Sequence, residues 1–109
     1  MEEIKPLKVL WADEASTEYD FILDFWYGYT YSYEFPEKLD NKVSEITTLI
    51  ARFPEIFSVV GGEFITNRDT NLQVRRAVIL KNFSLYYQVH KDHISIISFR
   101  DNRRNTATN

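Results

Sequence analysis

The side chains able to do chemistry gather late in the chain: Arg75, Arg76, Lys81, His90, His93, Arg100, Arg103 and Arg104. An arginine fork matches carboxylates and phosphates equally well. The cluster Arg100, Arg103 and Arg104 therefore fits an acidic protein segment, an acidic patch on a target or an RNA backbone. Against these stands the reading of a basic tail that is simply solvated. His90 and His93 flank Lys91-Asp92 and would face each other across a tight hairpin. They offer two nitrogens, with only Asp92 as a third group, so turn histidines are expected rather than a metal site. No phosphate-cradling glycine loop, His-Glu-x-x-His word or acyl-transfer triad can be assembled, and Gly61-Gly62 reads as a plain turn. With no cysteine, thiolate sites and disulfides are excluded, and neither metal nor cofactor is expected.

Charge is spread unevenly. Up to Val74 there are 6 Lys/Arg against 14 Asp/Glu, and from Arg75 onward 7 against 2. Such a division implies either an internally complementary fold, a basic surface meant for an acidic partner, or helices that carry solvated carboxylates. At 109 residues, 16% of them aromatic and only 3 of them glycine, the chain is built to pack one core and is expected to form a single domain over 1–109. Met1 to Pro6 lack the basic start and apolar run of a signal peptide, and no apolar stretch reaches a membrane span. A cytoplasmic protein with no membrane partner is expected.

The elements that position these residues follow from periodicity. Lys8 to Ala12 reads as a short strand, after which Asp13 is placed to cap a helix. Ala15, Tyr19, Ile22, Trp26, Tyr29 and Tyr33 recur at spacings of three and four, with Phe21 and Phe25 widening the stripe, so this helix should be covered on more than one side. Pro36 suits the first turn of a second helix, carried by Leu39, Val43, Ile46, Ile50 and Phe53 and stopped by Pro54. Its outer face, Glu37, Lys38, Asp40, Lys42, Glu45 and Arg52, reads as solvated. From Glu55 to Gln73 periodicity fades and loops are expected. Val74–Leu80, Phe83–His90 and His93–Arg100 are β-branched and aromatic runs joined by Lys81-Asn82 and Lys91-Asp92, connections short enough only for antiparallel neighbours. In the middle run Phe83, Leu85, Tyr87 and Val89 make a dry face, and Ser84, Tyr86, Gln88 and His90 a wet one. Arg75 and Arg76 point to opposite faces. One is expected to pair with a helix carboxylate such as Glu18, Asp20 or Glu45, and the other to contact a partner.

The order strand, two helices and three-strand meander, with the words Arg75-Arg76-Ala77-Val78-Ile79-Leu80, Phe83-Ser84-Leu85-Tyr86-Tyr87-Gln88-Val89 and Ile94 to Arg104, resembles the RelE/ParE toxin superfamily over nearly the whole chain. The resemblance implies an α+β two-layer fold, with two N-terminal helices packed on an antiparallel sheet in the order β-α-α-β-β-β. It implies the toxin of a type II toxin–antitoxin pair of the plasmid-stabilisation kind, inhibiting growth and silenced by a cognate antitoxin. Some members of the superfamily cut messenger RNA on the ribosome, and others resemble ParE in poisoning DNA gyrase.

Cleaving RNA requires a proton acceptor for the 2′-hydroxyl, a cation for the phosphorane charge and a donor for the leaving oxygen. In the ribonuclease branch these roles fall to basic residues on the sheet and a tyrosine in the tail. One arginine there stands directly before the Leu-x-Tyr-x-Val word, where this chain has Ser84, and the tail after Arg104 has no tyrosine. Arg103 and Lys81 match two of the remaining basic positions. Losing one charge stabiliser costs about 2.7–4 kcal/mol of transition-state binding. The preferred reading is therefore a binding toxin in which Arg76, Arg100, Arg103 and Arg104 meet the partner. A ribosome-dependent endoribonuclease using Arg103 and Lys81 is the alternative. A member that has lost toxicity and serves as an antitoxin-binding module is a third.

Overall fold

Segments with alternating polarity become strands, and segments with apolar residues three and four apart become helices. A computed structural model describes residues 5–61, 68, 69 and 71–105, apart from the side chains of 104 and 105. The elements are β1 (Lys8–Trp11), α1 (Asp13–Thr30), α2 (Glu34–Arg52), β2 (Val59–Val60), β3 (Val74–Ile79), β4 (Phe83–Val89), β5 (His93–Asp101) and α3 (Asn102–Asn105). The five strands form one sheet in the order β1-β5-β4-β3-β2. The helices α1 and α2 pack on one face of it, giving the expected two-layer α+β architecture. No helix among the described residues is long and apolar enough to cross a membrane.

Three features of the sheet depart from the sequence reading. β1 pairs with β5 in parallel, so the sheet is mixed rather than antiparallel throughout. The chain leaves β1 at Ala12, whose N–H donates to Ile96 O at 2.9 Å, and crosses over through the helices before returning. A short β2 lies in the segment read as loop and pairs antiparallel with β3. The face of β4 read as wet is covered. Ser84, Tyr86 and Gln88 are all buried, and Tyr86 packs with Val74, Ile97 and the half-buried Val60 in a small second core. A bulge makes this possible. Tyr86 pairs with Ser98 and Tyr87 with Ile96, so Ile97 is the extra residue, and it packs in that second core.

The main core lies between the helices and the sheet. Ala15, Tyr19 and Ile22 of α1 and Leu39, Val43, Ile46 and Ile50 of α2 meet Ala77, Ile79, Phe83, Leu85, Tyr87, Ile94, Ile96 and Phe99. Truncating a fully buried member such as Leu39 to alanine costs about 2–5 kcal/mol. Tyr87 is core, as expected, and its hydroxyl donates to Pro54 O at 2.7 Å, fixing the exit from α2 to the sheet. Burial raises its phenol pKa.

The stripe on α1 is shorter than the spacing predicts. The helix ends at Thr30 because Tyr31 turns into the left-handed region (φ 53°), so Tyr29 and Tyr33 are exposed. Phe21 and Phe25 are exposed too, and α1 is covered on one side only. Asp13 does not cap the helix: Ala12 holds the cap position with extended backbone, and Asp13 and Glu14 sit in the first turn, where their charge suits the helix dipole.

Candidate partner-binding surface

β5 is longer than β1, and the chain turns away into α1 where β1 stops. The register with β1 runs from His93 to Ile96, so the stretch up to Asp101 has an edge that β1 does not cover. Glu18 of α1 reaches over this edge. Its Oε1 accepts the Phe99 N–H and the Ser98 hydroxyl, both at 3.0 Å. Because the N–H of Phe99 points outward, the alternation of an antiparallel strand turns its C=O and the N–H of Asp101 toward the same edge. Between this edge and α1 lies a groove of about 630 Å³ lined by Thr17, Glu18, Phe21, Ile22, Phe99, Arg100 and Asp101. An uncovered strand edge beside an exposed Phe21 is a template for an added chain segment.

The arginines predicted as partner contacts divide between the two faces of the sheet. Arg76 and Arg100 share the face away from the main core, on either side of the Ser84–Tyr86 row. Arg76 is opposite Tyr86 in the register and Arg100 opposite Ser84. Arg76 Nε donates to the buried Ser84 Oγ at 2.8 Å, and the Asn102 amide donates to the same oxygen at 2.9 Å. Arg100 Nε donates to Ser98 Oγ at 3.1 Å, and its guanidinium carbon stands 5.7 Å from the centre of the Tyr86 ring. Arg103 lies elsewhere, 4.9 Å from the centre of the Trp26 ring and 5.6 Å from that of Phe83. Its N–H and Nε donate to Asp101 Oδ1 at 3.1 and 3.4 Å. The other oxygen of Asp101 is buried and has no hydrogen-bond partner among the described residues. The side chain of Arg104 lies outside the described residues.

Arg75 and Arg76 do split between faces, but the inward one finds carbonyls rather than a helix carboxylate. Arg75 Nη1 donates to Phe57 O at 2.8 Å and Glu55 O at 3.2 Å, tying down the segment after α2. Glu18, one of the carboxylates expected to receive it, is engaged at the edge of β5. Lys81 is exposed in the β3–β4 turn. Asn102 N–H donates to Asn82 O at 2.7 Å, which places that turn and the Arg103 exit at the same end of the sheet. His90 and His93 face each other as expected, with rings stacked 4.3 Å apart, and Asp92 Oδ1 lies 2.7 Å from His93 Nδ1. That hydrogen bond from His93 lowers the Asp92 pKa.

Sequence reasoning missed Glu18, Asp101 and Asn102 as site residues. A signal for Glu18 was present: it stands three residues after Ala15 and four before Ile22, a carboxylate in register with the apolar stripe.

A chain of a structure described as the chromosomal ParDE TA system from P. aeruginosa superposes with a TM-score of 0.63 and 17% identity, over 87% of this chain and 95% of that one. The fold is that of a ParDE toxin–antitoxin chain. At this identity the likeness is one of architecture. No protein family and no curated protein matches the sequence.

Proposed function

We propose that the chain is the toxin of a type II toxin–antitoxin pair, acting by binding an essential target and silenced by an antitoxin segment laid along the open edge of β5. The observation that carries this reading is the groove between α1 and β5, where strand edge, exposed Phe21 and Asp101 border one cleft on a fold shared with a toxin–antitoxin chain. Main-chain hydrogen bonds along the edge would supply affinity, and the α1 side chains specificity. Arg76 and Arg100, together on the opposite face, are the proposed target contacts, with Arg103 and Arg104 at the exit. DNA gyrase is the target that a ParE-like action implies.

The test is induced expression with and without the product of the adjacent reading frame. Growth arrest relieved by that product supports the reading, and relief lost on Phe21→Asp with arrest retained locates the antitoxin in the groove. Purified protein at saturation that leaves gyrase supercoiling untouched removes gyrase as target. Unimpaired growth without antitoxin sinks the toxin reading and leaves an antitoxin-binding module.

One observation favours the ribonuclease as the second reading. Ser84 stands where the resemblance calls for an arginine, yet Arg76 reaches across from β3 to its hydroxyl and brings a guanidinium to that position beside Arg100. Transcript cleavage that Arg76→Ala abolishes would establish it. Intact transcripts during growth arrest would end it, for the Arg103 and Lys81 version as well.

A further inference from the structure

The tip of the α1–α2 hairpin presents aromatic side chains that the fold itself does not bury. Tyr29, Tyr31 and Tyr33 are 71, 88 and 62% exposed, and Phe25 and Tyr27 stand exposed beside them. Exposed aromatic surface marks an interaction site, and tyrosine is favoured at the centre of protein interfaces. These rings are held in place. Tyr27 and Tyr33 stack with centroids 4.2 Å apart; in a separate group Phe25 lies against Tyr29 at 6.2 Å, and Trp26 anchors these two on Phe35. The hydrogen bond between the Tyr27 and Tyr33 hydroxyls is the leading cause of a raised pKa at Tyr33. A surface ordered before binding loses less side-chain entropy on docking.

Beside the Tyr27–Tyr33 pair the two helices leave a groove of about 500 Å³, which also carries Asp24, Glu37 and Asp40. Among the described residues none of these carboxylates forms an ion pair, and Asp40 takes only the Tyr19 hydroxyl, at 2.5 Å. Charge selects the occupant. The carboxylates repel phosphate backbones and anionic lipid headgroups, while carboxylates beside stacked rings attract guanidinium and ammonium groups. We propose that this groove docks an arginine- or lysine-bearing segment of a partner protein, one cation lying against the Tyr27–Tyr33 stack and between Asp24, Glu37 and Asp40. The site is separate from the β5 groove: Leu23, Asp24 and Tyr27 line this one, and Thr17, Glu18, Phe21 and Ile22 line the other. Both can be filled at once.

The test titrates the full chain with a synthetic nonapeptide of alternating arginine and alanine, a citrulline counterpart of the same length and a glutamate counterpart, followed by amide NMR shifts. The arginine peptide is expected to move resonances between 23 and 41 in a saturable manner, and the other two to leave them in place. Tyr27→Leu with Tyr33→Leu, and separately Asp24→Asn with Glu37→Gln, should each weaken binding about tenfold, matching one lost cation–ring or charge contact. Tyr27→Phe with Tyr33→Phe keeps the rings and should bind within about twofold of the parent. Shifts spread over the other acidic surfaces, citrulline binding as tight as arginine, or undiminished binding after loss of the rings would each overturn the proposal. Because all these side chains are exposed, an unchanged melting temperature confirms that a weakened variant is still folded.

Discussion

The Glu18 carboxylate on α1 accepts the main-chain N–H of Phe99 on β5 at 3.0 Å, and so satisfies by side chain one donor of an edge that no strand covers. The same oxygen holds the Ser98 hydroxyl, which in turn receives Arg100 Nε. Glu18→Ala should therefore strand a donor in a buried strand and destabilise the domain by about 1–3 kcal/mol. Glu18→Gln keeps an acceptor oxygen and should cost less than half of that. Urea unfolding of the two variants checks this, and equal losses would show that the charge rather than the acceptor matters.

Gln88 on β4 holds Asp69 and Leu72 by three bonds. Its amide donates to Asp69 O at 2.6 Å and Leu72 O at 3.0 Å, and accepts from Asp69 N at 3.0 Å. Gln88→Ala should cost about 1–3 kcal/mol by leaving those main-chain groups without partners. Amide exchange should accelerate at Asp69 before it does in β4. Exchange rising uniformly over the sheet would mean that the segment is not held by Gln88.

The same residue explains where the sequence was legible and where it was not. Period-two alternation in the strands and the three-four spacing of Leu39, Val43, Ile46 and Ile50 depend only on neighbours along the chain, and both elements formed where expected. Alternation also put Ser84, Tyr86 and Gln88 on one face correctly, but whether that face is wet depends on what lies over it, here Leu72, Asp69 and the Ile97 bulge. The parallel partner of β1 and the carbonyls that take Arg75 are likewise set by residues far off in sequence. The clustering of Arg76 with Arg100, and the separation of Arg103, rest on strand register, which composition does not encode.

Leu80 and Lys81 both hold left-handed backbone, φ 49° and 69°, in a turn with no glycine. A residue with a Cβ carries a cost of roughly 1–2 kcal/mol there. Leu80 packs on the core, so its replacement would mix two effects, whereas Lys81 is exposed. Lys81→Gly should raise stability by about 0.5–1 kcal/mol after the added freedom of the unfolded chain is counted. Under the ribonuclease reading the same variant should lose transcript cleavage. Thermal melts and a cleavage assay on one preparation separate the two roles, and a lowered melting temperature would contradict the strain argument.

Tyr19 sets an alkaline limit. Burial first, then its hydrogen bond to Asp40 and the charges of Asp40 and Asp20, push the phenol far above its ordinary pKa, so it stays protonated in the folded chain. An unfolded tyrosine ionises near pH ~10. Below that both states hold the proton and stability is unaffected. Above it the unfolded chain alone can release the proton, so stability falls as pH rises through the range between the unfolded and folded values. Tyr87, also raised by burial, adds to the same slope. Urea midpoints should be flat from pH 7 to about pH 9.5 and decline beyond it. Tyr19→Phe should make that decline shallower while losing the Asp40 hydrogen bond at every pH, a cost of about 0.5–1.5 kcal/mol. A decline of the same steepness in the variant would assign the alkaline limit to other groups.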